Sequence, residues 1–527
     1  MNYLDYIIVG SYMVGLIYMG WLVSGESDKE SYFLGGRSFG WAPLTLSTMA
    51  TQLSAISFIS APAFVGLREG GGMAWLGFEF GVPLAMLVLM TTIIPALYKS
   101  GVVSIFEFLE RRFGVSTRIL LSIVFQISRA FATGIMVYIL AIILESVLDI
   151  SYLQTIAIIG VVTIVYSTEG GMKAVVWGDV VQMIMITVGL MICVGFGLHH
   201  LGGWDVFTAN VDRSRLMAVD YSSFGFSGDE FGFWPLVFGG MFLYMSYYGC
   251  DQTQVQRAMS AKSEHTLRQM LLANGVLRFP ITLLYCFLGL IIGTFALVTP
   301  EYMASIPANE PDKMMPIFIR DYLPNGIKGI LIIAIFSAAM SSLSSTINSL
   351  TAVSMEDLVS RGYPNLSDKA YGWVSKLVCV LWGGIILIFS LFAGDIADTI
   401  IEAINKVGSV FYGPILALFV IAVFVRNVNV VGANIGLLSG VFLNMYFWLA
   451  QPQIFWLWWN LIGFVVTVTV GIIVSRFAYQ GHVHGQENML TFSFDLLKSK
   501  FALILVLYFV GIVLFATALP SLFNLIA

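Results

Sequence analysis

The stretch Phe336-Ser-Ala-Ala-Met-Ser-Ser-Leu-Ser-Ser-Thr-Ile-Asn-Ser349 lies inside an apolar run of roughly 327–357 that is long enough to cross a membrane. At about 100° per residue, Ala338, Ser341, Ser342, Ser345 and Ser349 share one helical stripe, with Ser344 off its edge. No acid or base lies beside these hydroxyls, so the row is a poor catalytic centre. Two readings stay open. Small residues let membrane helices approach closely. Hydroxyl and carbonyl oxygens also suit a small hard cation.

Composition sets the frame. Of 527 residues, 58% are hydrophobic and only 11% charged. The mean hydropathy is +0.87. Soluble domains are about one-quarter charged, so this is an all-α polytopic membrane protein whose first partner is the bilayer. A net charge of −5 argues against a nucleic-acid partner, and no obligate protein partner is evident. Cys193, Cys250, Cys286 and Cys379 sit in separate apolar runs and are expected to be packed thiols. The first apolar run has no basic start and no small-residue cleavage site after it, so it is expected to remain as a span.

A span needs about 20 apolar residues. That rule predicts about fourteen, at approximately 4–24, 41–65, 74–98, 119–147, 152–167, 175–200, 233–254, 270–296, 327–357, 373–393, 397–425, 430–450, 454–476 and 502–524. One alternating set of loops holds seventeen Lys and Arg and the other six. Cytoplasmic loops carry the excess, so both termini are expected outside. Three cations, Arg129, Arg278 and Lys406, fall inside spans. So do Glu79, Asp179, Asp251 and Glu402. Charges at that depth mark a pathway or a buried pair.

Two spans read as breakable. Leu44-Thr-Leu-Ser-Thr-Met-Ala-Thr-Gln-Leu-Ser-Ala-Ile-Ser-Phe-Ile-Ser-Ala-Pro62 is too polar for a lipid-exposed helix. The seventh span ends Tyr247-Tyr-Gly-Cys-Asp-Gln-Thr-Gln-Val-Gln-Arg257. Unwound backbone is tolerated at membrane depth where it lines a cavity or is buried in protein. The breaks are five spans apart. Residues 41–200 and 233–425 therefore form two five-helix blocks of opposite entry, the inverted-repeat pattern of secondary transporters. The span at 4–24 is extra, and 430–527 adds further spans around a cytoplasmic loop at 477–501. The whole chain is one transporter domain. His482 and His484 lack a third ligand nearby, and His199, His200 and His265 are equally unsupported as metal ligands.

At this point the chain resembles the sodium:solute symporter family, which includes sodium-coupled galactose, proline, pantothenate, sialic acid and glucose transporters. The likeness rests on Ser31-Tyr-Phe-Leu-Gly-Gly-Arg-Ser38, Tyr166-Ser-Thr-Glu-Gly-Gly-Met-Lys-Ala-Val-Val-Trp-Gly-Asp-Val-Val-Gln182, Asp251-Gln-Thr-Gln-Val-Gln-Arg257, and the serine stretch with its following Met355-Glu-Asp357. The resemblance implies a leucine-transporter-type fold, alternating access, and Na+ as coupling ion. It implies a first sodium site from the carbonyls of Ala50, Leu53 and Ala338 and the hydroxyls of Ser341 and Ser342. It also implies a second site from Asp179, Ser344 and Ser345, hence two sodium ions per cycle.

For the small-molecule solute, the resemblance offers two sets. Sugar-binding members match at Phe78 and Glu79, with Tyr244, Arg278 and Asn405 at other contact positions and Tyr247 as inner gate. Sialic acid members match at Arg129, with Ser54 and Ser57 offering hydroxyls at the helix break. Arg suits a carboxylate because its planar fork bonds both oxygens. The organic anion is the favoured expectation, with a neutral sugar or polyol as the alternative. A membrane enzyme is disfavoured, since no paired acid and base or phosphate loop is present. A channel would give no saturable, substrate-dependent sodium flux.

Overall fold

The computed structural model describes residues 2–22, 29–53, 55–148, 150–228, 230–307, 310–392, 400–478 and 499–526. Ser54, His482 and His484 lie outside the described residues, as do the side chains of Ile56 and Glu402. Among the described residues eleven helices are long and apolar enough to cross a membrane, or twelve if the one bent pair counts as a span. Among the described residues the regular structure is helical apart from a single bridge, Phe39 to Ala261.

The serine helix, Ile327–Ser354, is the axis of the molecule, and 94% of its most apolar window is buried. Residues that would be wasted against lipid are here covered on all sides, which explains its hydroxyls. Its N-terminus is closed from a distance. Asp5 of the first helix, Tyr3–Leu22, accepts from the backbone N–H of Gly326 at 2.6 Å and Gly329 at 3.0 Å. A carboxylate there satisfies orphan donors and complements the helix dipole.

Both expected breaks are present. Trp41–Gln52 is followed by Ala55–Gly66, whose Ser57–Gly66 part is bent from it by 61°. Helix Gly240–Cys250 stops at Asp251, which is extended (φ −96°, ψ 122°), and Gln252–Met259 restarts beyond it. Asp251 caps that restart by accepting from Thr253 N at 2.8 Å. The two breaks touch, since the Tyr248 hydroxyl donates to Gln52 Oε1.

The helical run Tyr152–Leu201 hides a reversal. Gly171 sits at φ 50°, ψ −143°, outside helical geometry. A Cβ on Gly178 would lie 3.6 Å from the Tyr166 ring. In one straight helix, residues twelve apart are about 18 Å apart along the axis. The chain therefore folds back at Gly171, dividing the run as the windows 152–167 and 175–200 anticipate.

Glycines set the next contacts. A Cβ on Gly66 would meet the Gly289 carbonyl at 2.5 Å, and one on Gly293 the Gly66 Cα at 2.5 Å. The second half of the broken helix thus packs backbone to backbone on Glu264–Val298. Val430–Ala450 packs on Leu457–Phe477, and Lys500–Ile526 lies at the periphery with much of its apolar surface exposed.

One reading of the loops needs correction. Arg257 counts as a loop cation by position, but it is 1% exposed and ion-paired to Asp179 at 2.7 Å. Arg118 is similarly drawn in, pairing with Asp357 at 2.6 Å and with Glu110 at 2.6 Å.

Candidate functional site

The breaks and the serine helix enclose a cavity of about 200 Å³. Ser57, Phe78, Glu79, Arg129, Tyr244, Tyr247, Arg278 and Asn405 all line it. Eight of the nine expected substrate residues thus meet in one place, and the ninth, Ser54, lies outside the described residues. Trp75, Thr133, Thr282, Tyr285, Thr346 and Tyr412 line it too. Aromatic residues such as these read in the sequence as lipid-facing or packing groups, and nothing in their spacing marks them.

An aromatic cluster flanks one end, reaching the cavity wall at Trp75 and Phe78. Trp75 and Phe78 are 4.5 Å apart, Phe78 and Trp456 5.7 Å, and Phe64 and Phe231 5.0 Å, measured between ring centroids. This end carries the loops expected outside. Tyr247, Gln52 and Thr253 lie on the cavity wall near the breaks.

Two ion pairs lie at the wall, Glu79–Arg278 buried and Arg129–Asp251 partly buried, with Asp251 behind Arg129. Arg278 donates to Glu79 through Nη2 at 2.7 Å and Nε at 3.2 Å, and Thr282 adds a hydroxyl at 2.8 Å. Arg129 donates through Nη2 to Asp251 at 2.5 Å and lies over the Tyr247 ring, 5.4 Å from its centroid. Arg278 Nη1, Arg129 Nε and the Tyr285 hydroxyl are buried without a hydrogen-bond partner among the described residues. Buried polar atoms are almost always satisfied, so these are places for a polar ligand or water.

The expected sodium ligands gather where the serine helix meets the first break. Ser342 donates to the Thr51 carbonyl at 3.2 Å, and Ser345 shares a 3.0 Å hydrogen bond with the Thr51 hydroxyl. Ala50, Leu53 and Ala338 are buried. Ser341 donates to Asp179 Oδ1 at 2.6 Å. The other oxygen, Oδ2, accepts from Ser47 at 2.5 Å and from Arg257 at 2.7 Å. Arg257 also donates to Ser345. Ser344 turns back to its own helix, donating to the Ser341 carbonyl at 3.1 Å. Asp179 and Ser345 are thus neighbours around Arg257, a group the sequence had placed in a loop. Among the described residues no cluster of three or more His, Cys, Asp or Glu is set to hold a metal.

Comparison with known proteins gives this geometry its context. The family model for the sodium:solute symporter family matches residues 32–440. Sodium-coupled monocarboxylate transporter 2 of Mus musculus is 30% identical over 430 residues, covering 81% of this chain and 68% of the relative. The sodium/iodide cotransporter of Homo sapiens is 28% identical, covering 82% and 66%. Among solved structures, a Na+-coupled sialic acid symporter in a substrate-bound outward-open state superposes with a TM-score of 0.82 at 23% identity, covering 92% of this chain and 99% of that one. A nucleobase-cation-symport-1 family transporter superposes with a TM-score of 0.52 at 14% identity, covering 86% and 96%. With the family model spanning both breaks, the cavity and the serine helix, the chain belongs to the sodium:solute symporter family and is a sodium-coupled solute transporter of the membrane.

Proposed function

We propose that the chain takes up a small organic anion, a monocarboxylate in the first instance, together with sodium. The observation that carries this is Arg129, a cation on the cavity wall whose buried Nε has no hydrogen-bond partner among the described residues. The monocarboxylate transporters among its relatives favour the same chemistry. The alternative, a neutral sugar or polyol, draws on Glu79. Both oxygens of Glu79 already accept from Arg278 or Thr282, which leaves little capacity for sugar hydroxyls.

The first sodium sits between the carbonyls of Ala50, Leu53 and Ala338 and the hydroxyls of Ser341 and Ser342. This place bridges two helices, so it is complete only while they stay together. Differential binding of that kind is what couples an ion to a conformation. A second ion at Asp179, Ser344 and Ser345 enters by taking over the contacts that Arg257 makes with Asp179 and Ser345. Each charge crossing 100 mV is worth about 2.3 kcal/mol. A tenfold gradient adds about 1.4 kcal/mol per ion.

Around this site we place about fourteen crossings, with both termini outside. Residues 41–200 and 233–425 are the inverted repeats of a leucine-transporter-type core. Arg129 grips the carboxylate, Ser54 and Ser57 offer hydroxyls at the break, and Phe78, Tyr244, Tyr247 and Asn405 shape the remainder beside the Glu79–Arg278 pair.

The test is uptake into proteoliposomes under an inward sodium gradient, against labelled short monocarboxylates, sialic acid, glucose, galactose and inositol. Accumulation of an acid, abolished in Arg129→Gln, is expected. Accumulation of a sugar, lost in Glu79→Gln and kept in Arg129→Gln, would reverse the assignment.

A further inference from the structure

A second, smaller cavity of about 60 Å³ lies behind Arg129, lined in part by Ser128, Ser246, Cys250 and Asp251. It shares Arg129, Ala132 and Tyr412 with the larger cavity, so these three residues form the partition between them. Ala132 is too small to block passage. The partition is in effect the Arg129 guanidinium, held by Asp251 on the far side, and the Tyr412 ring. Asp251 belongs to the second cavity alone and sits at the helix break, one oxygen capping Gln252–Met259 and the other on Arg129.

We infer that the Asp251 carboxylate holds, on Arg129, the place that a substrate carboxylate takes, and that the arriving anion breaks this pair and opens the way into the second cavity. This rests on the carboxylate reading of Arg129. A guanidinium that turns to a ligand in the larger cavity releases Asp251 and with it the tether on the break. An uncharged solute cannot compete for Arg129 and leaves the partition shut. Asp251 is thus a positioning residue that makes passage conditional on an anion.

Asp251→Asn separates this role from a structural one. Asn is an equally good N-cap, so the bond to Thr253 is kept while the competing charge is removed. If Asp251 holds Arg129 about 90% of the time, apparent affinity for a short monocarboxylate rises about tenfold in the variant. Cys250 supplies a readout from the second cavity. With Cys193, Cys286 and Cys379 replaced by Ala, maleimide labelling of Cys250 is followed in membrane vesicles. Lactate with sodium is expected to accelerate labelling in the parent chain, lactamide is not, and Asp251→Asn is expected to label fast without solute. The parent chain carries the test even if the variant folds poorly. Unchanged lactate affinity in a folded Asp251→Asn, or Cys250 labelling indifferent to lactate, overturns the inference. Lactate binding that survives Arg129→Gln instead overturns the carboxylate reading on which it stands.

Discussion

The Ser342 hydroxyl and the Thr51 carbonyl are joined by a 3.2 Å hydrogen bond that ties the serine helix to the first helix break. A second side-chain link between these elements runs from Ser345 to the Thr51 hydroxyl at 3.0 Å. A cation bound here replaces such links with ion–oxygen contacts and holds the same two elements together.

Ser342→Ala removes a proposed ligand without adding bulk. Hydrogen bonds to charged groups are worth about 1.5–3 kcal/mol, so the sodium concentration for half-maximal uptake is expected to rise about ten- to hundredfold. Ser349→Ala is the control, since Ser349 bonds only back along its own helix, to the Ser345 carbonyl at 2.7 Å. Equal sodium curves for Ser342→Ala and the parent would remove Ser342 from the site.

The Glu79–Arg278 pair is buried on both sides, at 3% and 6% side-chain exposure. Breaking such a pair by removing one partner costs about 3–5 kcal/mol, because the other charge is left alone. Glu79→Leu and Arg278→Met are each expected to lower the melting temperature sharply in detergent. The double variant is expected to recover most of that loss. Additive losses in the double variant would mean the two residues do not stabilise each other.

Gly171→Ala addresses the reversal. The residue has φ 50°, and a Cβ there would lie 2.6 Å from the Tyr32 carbonyl oxygen. Strain and clash act together, and both fall on backbone. The variant is expected to express poorly and to melt well below the parent. Gly10→Ala, where nothing lies within 4 Å of the new methyl, is expected to be silent.

Glu110 bears on acid stability. Burial alone would raise its pKa, but hydrogen bonds and charge from Arg361 and Arg118 hold it below the usual 4.5. A carboxyl lowered in the folded state stabilises the fold above its free pKa and loses that contribution as pH falls through the folded value. Stability from this clamp is therefore flat near neutrality and fades below about pH 4.5. In Glu110→Gln the acid-side slope of the melting temperature is expected to be shallower, which a thermal scan from pH 7 to pH 3 measures.

Much of the frame is legible in the chain itself. The apolar runs fold as helices, because membrane depth leaves the backbone no other way to satisfy its hydrogen bonds, but among the described residues eleven or twelve are long and apolar enough to cross, against about fourteen expected. Both breaks are legible because Ser, Thr, Gln and Asp are costly in lipid. The in-membrane charges Glu79, Arg129, Asp251 and Arg278 announce themselves for the same reason. Their pairing does not, since Glu79 and Arg278 lie on helices that meet only in three dimensions. Arg257 hides by position: it follows a break, so its stretch reads as loop although it returns to the core. Trp75 and Tyr412 hide by type, because an aromatic ring in an apolar run looks the same whether it faces lipid or a cavity.

The measurement that bears most directly on sodium–carboxylate coupling is isothermal titration of the purified protein with a short monocarboxylate, at zero and at saturating sodium with ionic strength held by choline. Linkage requires each ligand to tighten the other by the same factor. Coupling energies of 1–3 kcal/mol are typical, so sodium is expected to tighten the acid by about 5–150-fold. The reverse titration, sodium into protein with and without acid, is expected to return the same number, and Ser342→Ala to reduce both together. Acid affinity that is the same in choline and in sodium would contradict the account.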